Sequence, residues 1–324
     1  MQPNSRTFTI SRSRRPDRGP TGKKPRVWGF APFMHRTEMP PAVDHLIIGC
    51  GYLGRRVAAR WLAAGQTVAA LTRSNAETLT QLGIVPVVGD VLQPERLSKL
   101  PNAKSVLYAV GYDRSADADK RSVYVDGLAN VLAALAGRYN RFVYASSTSV
   151  YGATTEPVIE DTPPDPQTDG GRICLDAERT LRDAEPAATI LRYAGLYGPD
   201  RVLTKTAALR EAAPLAGSGD EHLNLIHIDD AALVADLAST HAAPDLLLVS
   251  DRSPVERRAY YTLLASLVDA APPTFNGQPR AGRPLSDREC RSDRLHAWLA
   301  ENNASLTFPT FREGLPDAVE RSSF

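Results

Sequence analysis

A glycine-rich turn directly behind a short apolar run is the feature that most constrains how this chain folds. Leu46-Ile47-Ile48 is followed by Gly49-Cys50-Gly51-Tyr52-Leu53-Gly54, after which a helical pattern begins. In that context the first glycine permits a tight turn, the second lets backbone approach a pyrophosphate, and the third lets the helix pack on the strand. The helix N-terminus favours phosphate. We therefore predict a dinucleotide here, and the alternative is a turn that binds nothing. The contact residues predicted at this turn are Gly49, Gly51, Tyr52, Leu53 and Gly54.

Short apolar runs and helical stretches alternate behind this turn. The further runs are residues 67–71, 84–88, 105–109, 142–145 and 189–191, and helical patterns cover 123–135, 175–184, 231–238 and 289–301. Strands that alternate with helices pair in parallel through right-handed crossovers, and nearly continuous apolar runs are typical of strands buried on both faces. We therefore expect an α/β fold, with a Rossmann-type doubly wound parallel sheet over 43–200. A smaller C-terminal substrate lobe should follow over 201–318, where strands and helices no longer alternate regularly.

Charge is distributed unevenly along the chain. The whole sequence has 38 Lys+Arg and 37 Asp+Glu, but residues 1–40 hold nine basic and only two acidic residues. This segment shows neither helical nor strand periodicity, so we expect a disordered extension. Three alternatives stay open: a basic arm for nucleic acid or an anionic surface, a transit peptide, or sequence upstream of a start at Met39. No aromatic interleaving or folded nucleic-acid motif accompanies it, and no nucleic-acid partner is predicted.

The cysteines and the hydropathy of the chain indicate in which compartment we expect the protein. The three cysteines, Cys50, Cys174 and Cys290, are odd in number and far apart, which indicates neither a disulfide framework nor a zinc site. We predict no metal and a reducing, cytoplasmic location. The sequence contains no run of about 18 apolar residues, so no membrane partner is predicted.

The end of the second predicted strand bears on which dinucleotide binds. A protein specific for NAD carries Asp or Glu there to bind the ribose 2′-hydroxyl. This chain has Thr72, Arg73 and Ser74 instead, and no acidic residue occurs between positions 49 and 77. Arg73 can form charge-assisted hydrogen bonds to a 2′-phosphate. The pattern favours NADP, with NAD possible, and the alternative is that Arg73 faces solvent.

The turns after the third and fourth predicted strands complete the cofactor site. Asp90, followed by Val91, is positioned to accept a hydrogen bond from an adenine amino group. Ala109, Val110 and Gly111 are small enough for backbone to pass close to the cofactor.

Longer motifs carry a family resemblance. They are Ser146-Ser147-Thr148-Ser149-Val150-Tyr151-Gly152, Arg192-Tyr193-Ala194-Gly195-Leu196-Tyr197-Gly198-Pro199 and Asn224-Leu225-Ile226-His227-Ile228-Asp229-Asp230. Over about residues 45–315 the chain resembles the extended short-chain dehydrogenases/reductases, the NAD-dependent epimerase/dehydratase family. The resemblance implies a nicotinamide cofactor contacted by Ser146 and Tyr193. It also implies hydride transfer on a small substrate that bears a hydroxyl or carbonyl group.

The resemblance fails at the catalytic residues. It implies that Ser147 orients the reacting group and that a Tyr-x-x-x-Lys pair on the next helix acts as acid/base. A tyrosine titrates near 10 and therefore needs a positive field to work near pH 7. Gly170 and Cys174 stand where this pair is expected, with no tyrosine between 151 and 193 and no lysine between 120 and 205. The chain is similar to an atypical subgroup that lacks the pair.

Three residues remain as substitutes. The resemblance places Asp126 where the usual member has Asn, and Asp126 is a candidate acid/base if burial raises its pKa. The reading we prefer is a structural hydrogen-bond acceptor. Cys174 is a candidate thiol, but no histidine lies within thirty residues of it, and packing is the usual role. His227 is either a substrate contact or a structural histidine.

Two functions therefore stay open. The first is an NADP-dependent oxidoreductase or epimerase with noncanonical residues, slowed by the loss of a positioned proton donor worth roughly 10²- to 10⁴-fold. The second is a sensor or scaffold that binds the cofactor without chemistry. The family often pairs through helices such as 123–135, so we expect a homodimer.

Overall fold

A parallel β-sheet forms the centre of the molecule. The computed structural model describes residues 40–113, 117–154, 156–252, 254–278 and 287–323. The basic extension expected over residues 1–40 therefore lies outside the described residues except for Pro40. The sheet has seven strands in the order β10-β6-β5-β4-β1-β2-β3, and every pairing within it is parallel. The predicted Rossmann-type fold is confirmed.

The strands are β1 (Val43–Ile48), β2 (Val68–Thr72), β3 (Val85–Val88), β4 (Ala103–Tyr108), β5 (Arg141–Ser147), β6 (Thr189–Tyr193), β7 (Gly195–Tyr197), β8 (His222–Leu223), β9 (Leu225–His227), β10 (Leu246–Val249) and β11 (Val255–Glu256). The helices are α1 (Tyr52–Ala63), α2 (Ala76–Gln81), α3 (Pro94–Leu97), α4 (Gly127–Leu135), α5 (Asp169–Ala184), α6 (Leu203–Arg210), α7 (Ile228–Thr240), α8 (Arg257–Leu267), α9 (Asp293–Glu301) and α10 (Phe311–Glu320). A π-helical turn (Ser122–Asp126) leads into α4, and a 3₁₀ turn (Thr148–Val150) follows β5.

The sequence pattern located most of this sheet but not all of it. The seventh strand, β10, was not predicted, although it pairs with β6 and so belongs to the main sheet. The helix predicted over 289–301 begins four residues later in the structure, at Asp293. Cys290, within the predicted range, forms a β-bridge with Val158 instead. The C-terminal part of the chain therefore returns to the central sheet.

Each face of the sheet is buried under helices. Ile47 packs into the cluster formed with α1 and α7, which includes Trp61. Leu46 and Ile48 point the other way, into the cluster formed with α4 and α5, because successive strand residues alternate between faces. Burial on both sides explains why β1 is continuously apolar.

A smaller apolar cluster lies among α6, α8 and α10. Its buried members include Tyr197, Leu209, Leu264 and Leu315. Among the described residues, no helix is both long enough and apolar enough to cross a membrane.

The order of the strands places the functional site. Successive strands run outward from β1 to β3 on one side and from β4 to β6 on the other, so the direction reverses between β1 and β4. Ligands of open α/β sheets bind at the carboxyl ends of strands at such a reversal. The glycine-rich turn stands there, directly after β1.

Candidate functional site

A cavity of about 980 Å³ lies at the carboxyl ends of the central strands. It is formed by the β1–α1 turn and by the segments that follow β2, β3, β4, β5 and β6. The predicted cofactor residues that line it are Gly49, Gly51, Tyr52, Leu53, Thr72, Arg73, Ser74, Asp90, Val91, Ala109, Val110, Gly111, Ser146 and Tyr193. The structure thus brings fourteen of the fifteen predicted cofactor residues together, whereas Gly54 does not line the cavity.

The three glycines of the turn meet three different constraints. Gly49 has a φ of +94°, and a Cβ on it would lie 2.6 Å from backbone atoms of Ala109 and Val110. A Cβ on Gly54 would lie 2.8 Å from the carbonyl oxygen of Gly49, so the third glycine permits close packing of α1. Nothing lies within 4 Å of the Cβ position of Gly51, so its backbone borders open space.

The start of α1 is suited to an anion. Gly51 is its N-cap and provides no capping side chain, and the first turn contains no acidic residue. Its first N–H groups therefore keep their capacity for an external acceptor. Arg55 and Arg201 also line the cavity. These residues fit the pyrophosphate of a nicotinamide dinucleotide, with open space above the second glycine and positive charge around it.

The rim beyond β2 carries the predicted specificity residue. The Arg73 guanidinium donates to the Asp113 carboxylate at 2.9 Å, and the two side chains are 52% and 43% exposed. Thr72 is buried, and its hydroxyl accepts from the N–H of Asn75. Arg73 is therefore solvent-accessible at the cavity edge and is held there by an acidic neighbour.

The turn after β3 is held by a hydrogen bond between one of its side chains and its backbone. One carboxylate oxygen of Asp90 accepts from the N–H of Leu92 at 2.9 Å. Val91 is buried and lies against Gly127, where a Cβ would come within 2.6 Å of the valine side chain. This contact fixes the start of α4 against the cavity wall.

Ser147 is the half-buried hydroxyl at the end of β5. Its Oγ accepts from the N–H of Ser149 at 3.1 Å and caps the 3₁₀ turn. Because the oxygen serves as the acceptor, its O–H proton stays available to a ligand in the cavity.

A buried polar network supports this end of the sheet. The Ser146 hydroxyl donates to Glu178 at 2.5 Å, and Arg192 donates to both oxygens of the same carboxylate at 3.0 and 2.6 Å. The Arg192 guanidinium also donates to the Tyr151 hydroxyl at 2.8 Å. The Arg192 and Glu178 side chains are only 6% and 5% exposed. Ser146 is therefore committed to this network, while Ser147 is not.

The positions of the missing catalytic pair lie on α5. A Cβ on Gly170 would lie 2.7 Å from the Lys120 ammonium nitrogen, so Lys120 occupies space that a larger residue would fill. Cys174 is buried, and burial raises the pKa of its thiol. A thiol held protonated is a poor nucleophile, which favours the packing role for Cys174.

Asp126, the candidate acid/base of the sequence analysis, does not line the cavity, so its position does not support that role. It is the last residue of the π-helical turn, it is exposed, and it does not line the cavity. The condition for acid/base work, burial, is therefore not met. Tyr124, two residues earlier, lines the cavity instead. Sequence reasoning missed Tyr124 because periodicity does not reveal a π-helical turn.

His227 caps α7 and lies outside the cavity lining. It is fully buried, its Nδ1 accepts from the N–H of Asp229 at 3.3 Å, and its Nε2 lies 3.2 Å from the Asp317 carboxylate. Burial lowers the pKa of His227. His227, Asp229 and Asp317 are close enough to share a cation, but Arg321 already bridges the two carboxylates. This arrangement supports the structural reading of His227.

Comparisons with known proteins agree with this geometry. Residues 45–247 match the model of the NAD dependent epimerase/dehydratase family. Protein YeeZ of Escherichia coli is 28% identical over 248 residues, covering 73% of this chain and 88% of YeeZ. A 2-alkyl-3-oxoalkanoate reductase of Shewanella oneidensis is 26% identical over 263 residues, covering 71% and 67%. The Bordetella bronchiseptica enzyme WbmG, solved in complex with NAD, superposes with a TM-score of 0.71 at 20% identity, covering 88% and 94% of the two chains.

Proposed function

Since this chain belongs to the NAD-dependent epimerase/dehydratase family, we propose that it is an NADP-dependent oxidoreductase or epimerase acting on a small substrate with a hydroxyl or carbonyl group. The observation that carries the proposal is the combined cavity: a glycine turn suited to pyrophosphate at one end and the Ser147 hydroxyl at the other. A nicotinamide dinucleotide bound there supplies hydride chemistry.

The preference for NADP rests on Arg73. The guanidinium reaches the cavity rim at the end of β2, where a ribose 2′-phosphate would add negative charge. Its present partner, Asp113, is exposed, and an exposed ion pair contributes only about 0–1 kcal/mol. A phosphate can therefore compete for Arg73 at little cost.

The substrate class follows from the relatives and the site. The Shewanella oneidensis relative is named for reducing a 2-alkyl-3-oxoalkanoate, which carries a ketone. Ser147 offers an O–H proton that suits a carbonyl or hydroxyl oxygen of the substrate. We extend carbonyl chemistry to this chain on these two grounds.

A second function, a cofactor-binding sensor, is favoured by one observation. Gly170 and Cys174 occupy the positions of the family's acid/base pair, so its usual proton donor is missing. Such a protein would bind the dinucleotide at the glycine turn and catalyse nothing.

The cofactor proposal is tested by thermal unfolding with NADPH and with NADH. We expect NADPH to raise the melting temperature more, because a ligand that binds only the folded state stabilises it by mass action. Arg73→Ala should remove roughly a factor of ten in the preference, since a charge-assisted hydrogen bond contributes about 1.5 kcal/mol or more. Arg96→Ala, on the exposed side of α3, is the matched control. Equal affinities for the two cofactors in the unmodified protein would overturn the Arg73 assignment.

Turnover separates the enzyme from the sensor. The protein is incubated with NADPH and a panel of 3-oxo acids, aldehydes, ketones and nucleotide sugars. Turnover that Ser147→Ala abolishes supports chemistry at the predicted site, whereas turnover that survives this change places it elsewhere. Tight NADPH binding without turnover of any panel member supports the sensor.

A further inference from the structure

A tyrosine of the cavity lining and a lysine beside it lie near the α5 positions where the resemblance places the family's pair. Tyr124 lines the cavity together with Ser147. Lys120 lies four residues earlier on the same helical segment, and its Nζ is 5.3 Å from the centre of the Tyr124 ring. Both belong to the segment that enters α4, whereas the family's pair lies on α5.

The Lys120 side chain lies in the space beside Gly170 of α5. Its Nζ is 2.7 Å from the point where a Cβ on Gly170 would lie. It also lies close enough to Cys174 for its charge to oppose the effect of burial on that thiol's pKa. The ammonium group therefore lies beside Gly170 and within electrostatic range of Cys174, the two residues at the positions of the expected pair.

Tyr124 is oriented as a proton donor. Its hydroxyl oxygen accepts from the N–H of Tyr112 at 3.1 Å, so the phenolic proton is left for another partner. Burial raises the pKa of Tyr124, which keeps the phenol protonated at neutral pH. The remaining titratable groups near this hydroxyl are Cys174 of α5, Tyr108 of β4 and Tyr144 of β5, and burial raises the pKa of each of them.

The π-helical turn explains how Tyr124 meets the cavity. A π-helical turn inserts one residue into an α-helix and so changes which side chains face a given side. Tyr124 lies within Ser122–Asp126, and it faces the cavity while Asp126 faces solvent. Such turns are frequent at functional sites.

We propose that Tyr124 is the catalytic acid/base of this protein and that Lys120 is a positioning residue that stabilises its phenolate. This inference rests on the proposed function. In the reducing direction, a bound reduced nicotinamide dinucleotide would supply hydride to the carbonyl carbon of the substrate and would itself be oxidised, while the C=O electron pair moves to oxygen. The Tyr124 O–H bond breaks, its proton passes to that oxygen, and an alcohol and a phenolate result. Lys120 stabilises the phenolate until a proton from solvent restores it.

A titration of Tyr124 tests the pair without needing a substrate. The full-length protein carries 3-fluorotyrosine at position 124, and its ¹⁹F shift is followed against pH. Lys120→Met should raise the titration midpoint by about one pH unit, because an adjacent cation favours the phenolate. For the same reason NADP⁺ should lower the midpoint relative to NADPH. Lys205→Met is the control, since Lys205 also lies 5.3 Å from a tyrosine ring, that of Tyr261.

Kinetics with any panel substrate test the same assignment. Tyr124→Phe should lower kcat roughly 10²- to 10⁴-fold while the affinity for NADPH changes less than about threefold. Tyr139→Phe, which removes a hydroxyl bonded to Glu185 outside the cavity lining, should change neither. Full turnover by Tyr124→Phe overturns the inference.

The titration also separates the two possible failures. If neither NADP⁺ nor NADPH changes the melting temperature, the proposed function itself fails. If the cofactor binds but the Tyr124 midpoint responds neither to Lys120→Met nor to the charge of the nicotinamide, only the acid/base assignment is wrong.

Discussion

The two ends of the cavity are held in different ways. At the β1–α1 turn, backbone packs on backbone, and a Cβ on Gly49 would lie 2.6 Å from the carbonyl carbon and oxygen of Ala109. Near the Ser147 side, on α5, the nearest atom to a Cβ on Gly170 is instead the flexible end of the Lys120 side chain. Close backbone packing tolerates no substitution, whereas side-chain chemistry can be supplied from another element. This difference is consistent with a chain that keeps the glycine turn but has Gly170 and Cys174 where the resemblance places the Tyr-x-x-x-Lys pair.

Among the variants that test this difference, Gly49→Ala should lower the free energy of unfolding the most. The change combines a strained positive φ with a backbone clash, which cost about 1–3 kcal/mol each, so we expect a loss of roughly 4 kcal/mol in the free energy of unfolding. Urea unfolding measures the loss. NADPH binding should disappear with it.

Gly51→Ala is the matched variant at the same turn. Nothing lies within 4 Å of its Cβ position, so the free energy of unfolding should change by less than about 1 kcal/mol. The added methyl group nevertheless occupies the space through which a pyrophosphate approaches, and NADPH affinity should fall at least tenfold. If Gly51→Ala lowers stability as much as Gly49→Ala does, the two glycines do not have separate roles.

Arg192→Met should have the next largest effect, at the opposite end. It leaves the Glu178 carboxylate buried with only the Ser146 hydroxyl as a side-chain partner, and breaking a buried ion pair costs about 3–5 kcal/mol. We expect a loss near 3 kcal/mol by urea unfolding. The double variant Arg192→Met, Glu178→Leu should recover part of it, because it removes the unpaired charge as well. A loss below about 1 kcal/mol would contradict the view that this network holds the catalytic end.

Local sequence was sufficient to predict the glycine-turn end of the site. The strand, the turn and the helix are contiguous, so one stretch of chain determines the conformation of Gly49 and Gly51 and places both in the cavity lining. The same applies to Thr72 and Asp90, which directly follow or end their strands. These residues line one cavity because the carboxyl ends of parallel strands share an edge of the sheet.

The other end depends on contacts that sequence spacing does not reveal. A helical pattern over 123–135 was recognised, but its first turn is π-helical, and this turns Tyr124 rather than Asp126 toward the cavity. Arg201 reaches the cavity from the segment before α6, and Lys120 reaches Gly170 across elements. The run that forms β10 follows α7 but was not recognised as the strand of a further βα unit.

The smallest effect on stability is expected from Gly170→Ala, for which Gly171→Ala, at the next position of α5, is the comparison. A Cβ on Gly171 would lie 2.2 Å from the carbonyl oxygen of Ser149, so Gly171→Ala forces backbone apart and should cost about 2 kcal/mol. The close neighbour of a Cβ on Gly170 is the Lys120 ammonium nitrogen at 2.7 Å, with the Thr168 hydroxyl oxygen at 4.0 Å, and alanine is favoured over glycine in a helix by about 0.5–1 kcal/mol. Gly170→Ala should therefore leave the free energy of unfolding unchanged within about 0.5 kcal/mol. Because the new methyl group displaces Lys120, the titration midpoint of Tyr124 should nonetheless rise. Equal losses of stability in the two variants would mean that backbone packing, not a side chain that can move aside, limits the size of the residue at position 170.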